Sequence, residues 1–416
     1  MHMPAIDGVR GIAILLVLVH HFTPMVSGNH LARRMLETAH LGWIGVDLFF
    51  VLSGFLITAI LLKTRNGEDY FLNFYARRTL RIFPVYYIAL TVLLLAVPVL
   101  MQMPMLQQSI ATYFGKITKD LPTMIDGQSW LWLYGTNIKI AIVGERWGAV
   151  NHFWSLAVEE HFYLVWPLVV WFVSSRTNLI KVCLVCILGA PILRGMLMLA
   201  GFDSVVPYVL TPCRVDSLAF GALLSVLIMD PSKIARWVMH FRILALGSVT
   251  GLVVLVAHYG RFNRDDLLTT VFGYSLLALV SAWMVLAASQ LKPGAIITRA
   301  VANPVLTSLG KYSYGLYVTH MFFAPAYTKL FGWNDLVKLT GSYPAAIVIH
   351  AVLAIICSWA IAWVCYHAME KHFLRLKVFF DYRRAAQPVV QEAAEETPAP
   401  IRAIVISPRQ AMRTAA

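Results

Sequence analysis

Charge is scarce in this sequence. Only 13% of its 416 residues are Asp, Glu, Lys or Arg, against about 25% in an ordinary soluble domain. So few charges cannot cover a water-facing surface of this size. Apolar runs of about 20 residues recur from end to end, each long enough for a hydrocarbon core of about 30 Å. Many lack the polar face that a soluble helix needs. Acidic residues are the scarcest charges, 21 against 34 Lys and Arg, for a net charge of +13. No basic stretch is interleaved with aromatics as in a nucleic-acid groove, so the excess is read as membrane topology plus an anionic ligand, with no nucleic acid. Cysteine is sparse too. Cys183, Cys186, Cys213, Cys357 and Cys365 all lie in or beside apolar segments. The one CxxC has no second pair and no nearby His, so no metal is expected. No A-x-A site follows the first apolar stretch, which is therefore read as a membrane helix and not as a cleaved leader. An internal repeat of the transporter kind is also missing.

What is present is an all-α, polytopic pattern with about ten transmembrane helices. They are expected near 6–27, 42–62, 82–103, 153–174, 179–200, 208–229, 243–259, 267–290, 305–331 and 345–370. The long connection 104–152 is a candidate for a short interfacial or re-entrant helix. Lys and Arg set the orientation. Lys63, Arg65, Arg77, Arg78 and Arg81 follow the second span, Arg176 and Lys181 the fourth, Lys233, Arg236 and Arg242 the sixth, and Lys371, Arg375 and Lys377 the last. That side is read as cytoplasmic, with both termini on it; Arg33 and Arg34 argue weakly against this. The chain divides into a membrane domain over 4–376 and a tail over 377–416. The tail's QPVVQEAAEETPAP has no apolar period and reads as disordered.

Charged and titratable groups inside spans are expensive, which makes each a functional candidate. Arg10 and His21 are eleven residues apart, three helical turns plus about 20°, so they share a face over a rise of about 16 Å. Asp7 lies one turn below Arg10 and can pair with it. His20 is rotated off this face. In RRTLRIFP (77–84), Arg78 and Arg81 are one turn apart and suit bidentate phosphate binding. Plain topological flanking explains Arg77 well and Arg81 poorly. In NHFWSLAVEEHFYLVWP (151–167), His152, Ser155, Glu159 and Tyr163 share a helix face, while Glu160 points elsewhere. The rival reading is an acceptor-rich helix start with Asn151 as N-cap. Two weaker clusters are Arg214 with Asp216, and His320 in GKYSYGLYVTH (310–320).

These motifs together resemble the membrane acyltransferase family 3, which includes bacterial O-antigen, exopolysaccharide and peptidoglycan acetylases. The resemblance is carried by IDGVRGIAILLVLVHHF, GVDLFFVLSGFLIT (45–58), FYARRTLRIFP (74–84), FWSLAVEEHFYLVWP (153–167), RVDSLAFGALL (214–224) and KYSYGLYVTH (311–320). It implies that the family's Arg-ten-His pair falls on Arg10 and His21, its R-x-x-R pair on Arg78 and Arg81, and its acidic residue on Glu159. It also implies an acyl-CoA donor, usually acetyl-CoA, a bacterial inner-membrane location, and the stand-alone type without an appended hydrolase-like domain.

Acyl transfer to an alcohol needs a base for the hydroxyl proton and stabilisation of the oxyanion. His21 is expected to be the base, with Glu159 orienting a histidine or stabilising an imidazolium and Asp7 supporting the column. Arg10, Arg78 and Arg81 are expected to hold the coenzyme phosphates. Ser155, His152, Tyr163, Trp147 and His320 are expected on the substrate side. A glycan or other hydroxyl acceptor would stack on Trp130, Trp132 and Trp147. An acyl-histidine intermediate is an equal alternative. The rival class is a multi-pass transporter.

Overall fold

The computed structural model describes residues 3–23, 36–144, 147–291 and 294–381, and every element among them is helical. Eight helical stretches are long and apolar enough to cross a bilayer: Pro4–Phe22, Leu36–Thr64, Tyr70–Leu100, Arg176–Leu199, Val205–Leu227, Pro231–Tyr259, Thr269–Ser289 and Tyr343–Phe379. Two other expected spans are helices as well, Phe153–Phe172 and Ser313–Leu330. Ser155, Glu159, Glu160 and His161 dilute the first, and Ser313, Thr319, His320 and Lys329 the second. These two least hydrophobic spans both carry candidate site residues. The chain is an all-α polytopic membrane protein.

The main helices are α1 (Pro4–Phe22), α2 (Gly45–Thr64), α3 (Tyr70–Thr91), α4 (Pro104–Asp126), α5 (Phe153–Phe172), α6 (Arg176–Leu199), α7 (Thr211–Leu227), α8 (Ile234–Tyr259), α9 (Tyr274–Ser289), α10 (Pro304–Lys311), α11 (Ser313–Leu330) and α12 (Tyr343–Cys365). Pro4 opens α1 at a position whose N–H needs no partner. The Thr23 hydroxyl closes it by donating to the Val19 carbonyl at 2.6 Å.

Glycines seat the helices that bear the site. A Cβ on Gly11 would stand 2.0 Å from the Leu306 carbonyl oxygen, and one on Gly310 would stand 1.9 Å from that of Asp7. The α1 and α10 backbones therefore touch directly. α2 and α7 cross in the same way, with Gly54 against Leu218 O (1.9 Å) and Gly221 against Val51 O (2.0 Å). Without a hydrophobic drive between helices in lipid, such close approach is a main source of packing energy. Gly11 follows Arg10 and Gly54 follows Ser53, so each tight contact fixes the height and rotation of a polar neighbour.

Several expectations need correction. The third span begins at Tyr70, twelve residues early, so Arg77, Arg78 and Arg81 lie in a helix and not in a loop. Long-stemmed Arg and Lys are good helix formers and can snorkel. Arg236 and Arg242 join α8 in the same way. The ninth span is broken at Tyr312 into α10 and α11. The 104–152 connection holds the 23-residue α4, kinked at Phe114, followed by the short helices Gln128–Trp132 and Thr136–Val143. Asn151 is not an N-cap; its side-chain oxygen accepts the Trp147 N–H at 2.9 Å. The first residues of the expected tail, from 377, continue a helical turn, Leu376–Phe379, and Arg77 holds this stretch by donating to Lys377 O and Phe380 O, both at 2.8 Å. Arg33, Arg34 and the segment from 382 onward lie outside the described residues.

Candidate active site

Two buried ion pairs show what a charge looks like here when its task is structural. Arg214 donates to Asp47 Oδ1 at 2.6 Å, and both side chains are wholly buried. Ser217 adds a bond to the same oxygen at 2.9 Å, and the guanidinium lies 4.3 Å from the Tyr274 ring. Arg194 donates to Asp216 Oδ2 at 3.0 Å and, among others, to the carbonyls of Cys213 and Val271. Val271 sits in a wide π-turn, Thr269–Gly273, so this arginine also serves an irregular stretch of backbone. Removing one partner of such a pair strands a charge in a low-dielectric interior. The Arg214 and Asp216 cluster is accounted for by packing α2, α6, α7 and α9.

The arginines of α1 and α3 are different. Arg10, Arg78 and Arg81 line one cavity with Ser53, Glu159, Glu160 and Tyr163. It contains about 790 Å³ of empty space, its open mouth included. Arg10 is paired with Asp7 at 3.1 Å. Arg78 lies 4.3 Å from the centre of the Tyr163 ring, and its Nε is buried with no partner. Arg81 has no hydrogen-bond or ion-pair partner among the described residues. Arg77, four residues from Arg81 and one from Arg78, is occupied with the carbonyls at 377 and 380. The same stretch of α3 therefore anchors the 377–380 backbone with one arginine and offers two others to a void. Cations in that state are suited to an anion that enters from outside the fold.

Glu159 is held at both oxygens, by Ser53 Oγ and by Tyr163 Oη, each at 2.9 Å. It bonds no histidine among the described residues, so orienting one directly is not its role here; the alternative expectation, stabilising an imidazolium, is untouched by these contacts. Glu160, expected to point away, lines the same cavity, which is wide enough to receive two neighbouring positions of the α5 wheel. Asp7 also needs correction. It is fourteen residues from His21, about 21 Å along the helix axis, and pairs with Arg10 at the cavity end, so it takes no part at His21.

Beyond the cavity lies a cluster of imidazoles. The wall between them is a hydroxyl pair, Ser155 Oγ and Tyr317 Oη, 2.5 Å apart. Each hydroxyl also lies 3.1 Å from the His152 carbonyl, so one can donate to its neighbour while the other donates to that carbonyl. The His152 and His320 ring centres are 4.9 Å apart, as are those of His320 and His21. His320 Nε2 meets His21 Nδ1 at 3.1 Å. His20 turns the other way, with Nδ1 2.8 Å from the His40 carbonyl. Arg10 and His21 thus stand at opposite ends of α1, and side chains of α5 and α11 join their neighbourhoods.

Trp147 is wholly buried against Gly127 and offers no face for a sugar ring. Trp130 and Trp132 are half-buried, and Trp132 stacks on Tyr87 at 5.8 Å. Ser53 and Tyr317 were missed by sequence reasoning. Ser53 lies 106 residues from Glu159 and Tyr317 lies 162 from Ser155, and no local pattern links such pairs. No group of three or more His, Cys, Asp or Glu among the described residues has metal-binding geometry.

An all-helical membrane protein with an arginine-lined cavity backed by clustered histidines defines the class. The acyltransferase-domain family matches residues 3–363, and the chain belongs to it. It is 27% identical over 334 residues to a Staphylococcus aureus (strain MSSA476) protein bearing the name Putative O-acetyltransferase SAS0844, covering 77% of this chain and 50% of that one. It is 25% identical over 335 residues, with the same coverage, to O-acetyltransferase OatA of S. aureus strain NCTC 8325 / PS 47. The chain spans about half the length of these curated relatives. No solved structure matches it.

Proposed function

We propose that the protein moves an acyl group, in the first instance acetyl, from acyl-CoA to a hydroxyl of an extracytoplasmic or lipid-linked glycan. The observation that carries the donor is the cavity of Arg10, Arg78 and Arg81, in which Arg81 has no partner among the described residues. Coenzyme A brings clustered phosphates, which arginine forks bind bidentately. His21 is the base that takes the acceptor's hydroxyl proton. It lies about 16 Å along α1 from Arg10, roughly half a hydrocarbon layer, a distance the pantetheine arm can span. The relatives' names support O-acetyl transfer as the reaction class.

In this reading the arginine end faces the cytoplasm of a bacterial inner membrane, with both termini, and the acceptor arrives from the other side. Sealed vesicles of known orientation test it. Acetyl-CoA supplied on the arginine side should acetylate a glycan confined to the opposite side. Transfer only when both substrates share one side would overturn the crossing geometry. No CoA release with any hydroxyl acceptor would overturn the enzyme reading itself.

A further inference from the structure

We infer that His320 is a positioning residue that holds His21 in the tautomer able to act as a base. This rests on the acyl-transfer reading above and names a part of the site that reading leaves open. His320 Nδ1 lies 3.0 Å from the Leu316 carbonyl and 2.9 Å from that of Tyr317. A carbonyl oxygen only accepts, so this nitrogen carries the hydrogen. The ring is wholly buried, and among the described residues its hydrogen-bond partners are two carbonyls and His21, none of them a carboxylate that could balance a charge. An unpaired charge there is costly, so the ring is neutral and its Nε2 accepts. Nε2 faces His21 Nδ1 at 3.1 Å. His21 Nδ1 is therefore the donor, and the lone pair of His21 resides on Nε2.

That assignment gives the transfer a direction. The acceptor's hydroxyl proton passes to His21 Nε2 as its oxygen bonds the thioester carbon. The C–S bond breaks, and the departing thiolate takes the proton back from His21. With the other tautomer, an N–H would stand where the lone pair is needed. Orientation of a catalytic histidine is usually the task of an acid, and Glu159 was the acid expected. Glu159 bonds Ser53 and Tyr163 instead. An imidazole acceptor does the same work without placing a net charge in the hydrocarbon layer, and its own orientation is fixed by the backbone of α11.

The test uses the full chain in nanodiscs, with acetyl-CoA turnover and CoA binding measured for His320→Leu, His320→Gln and His21→Ala. His320→Leu should lower kcat about 100-fold or more, within the range of general-base effects, and leave KM for acetyl-CoA and the Kd for CoA within about twofold. His320→Gln keeps an acceptor oxygen at the ε position and should recover about tenfold or more of the loss. Wild-type kcat in His320→Leu, or equal losses in the Leu and Gln variants at unchanged CoA affinity, would overturn the inference. Ring-nitrogen NMR of the wild type reads the tautomer directly, with the His21 signals assigned by their absence in His21→Ala. An Nε2–H form of His21 would overturn the inference whatever the variants' activities. Full activity of His21→Ala would instead overturn the assignment of the base in the parent reading.

Discussion

Removing the Arg81 guanidinium should weaken donor binding without weakening the fold. Arg81 makes no hydrogen bond or ion pair among the described residues, so truncation to Ala breaks no internal contact of that kind. A charge-assisted hydrogen bond contributes about 1.5–3 kcal/mol. One lost phosphate contact therefore corresponds to about a 10- to 150-fold rise in the Kd for CoA. Arg81→Lys keeps the charge but loses the fork, and should fall between. The wild-type affinity should also drop as salt rises, and the Ala variant's less steeply. Arg77→Ala is the internal control. Its guanidinium is spent on the carbonyls of Lys377 and Phe380, so it should lower thermal stability and leave the Kd within about twofold. Calorimetric titration of CoA into detergent-purified protein measures all four. An unchanged Kd in Arg81→Ala together with a weakened one in Arg77→Ala would refute the division of labour along α3.

The remaining expectations are briefer. His21→Ala should abolish turnover, whereas His20→Ala, whose ring turns away to bond the His40 carbonyl by Nδ1, should cost much less; equal losses would sink the choice of His21. Gly54→Val drives a side chain into the Leu218 carbonyl and should destabilise by about 3 kcal/mol or more, while Gly115→Ala, which meets no atom within 4 Å, should be neutral in the same thermal melt. Ending the chain after Arg384 should leave folding and turnover intact, since the carbonyls of Lys377 and Phe380 that Arg77 holds are kept; loss of either would reveal a docked tail.

The membrane class was legible because composition and run length report directly on the solvent a helix faces. The Asp7–Arg10 pair and the shared face of Ser155, Glu159 and Tyr163 were legible because they rest on helical spacing alone. What spacing cannot give is the partner on another helix. Glu159 and His320 were both visible as candidates, yet their roles depended on Ser53 and His21, which arrive from α2 and α1. The surplus of Lys and Arg was ambiguous for a related reason. Arg77, Arg78 and Arg81 are equivalent as topology signals, and only the contacts separate a clamp on the backbone from two cations facing a cavity. Trp147 misled because an aromatic belt, a packed core and a sugar platform use the same residue.

The hydroxyl pair of Ser155 and Tyr317 has a consequence for the membrane itself. A protein that admits polar groups from both faces risks becoming a leak. In an energised bilayer the electrical potential falls mainly across whatever separates the two wet recesses, and each 100 mV is worth about 2.3 kcal/mol to a crossing elementary charge. Between the arginine cavity and the histidine cluster stand two hydroxyls 2.5 Å apart, beside one carbonyl and backed by packed rings. If the two substrates enter from opposite faces, as proposed, this packing has two tasks, to part them between turnovers and to insulate the membrane.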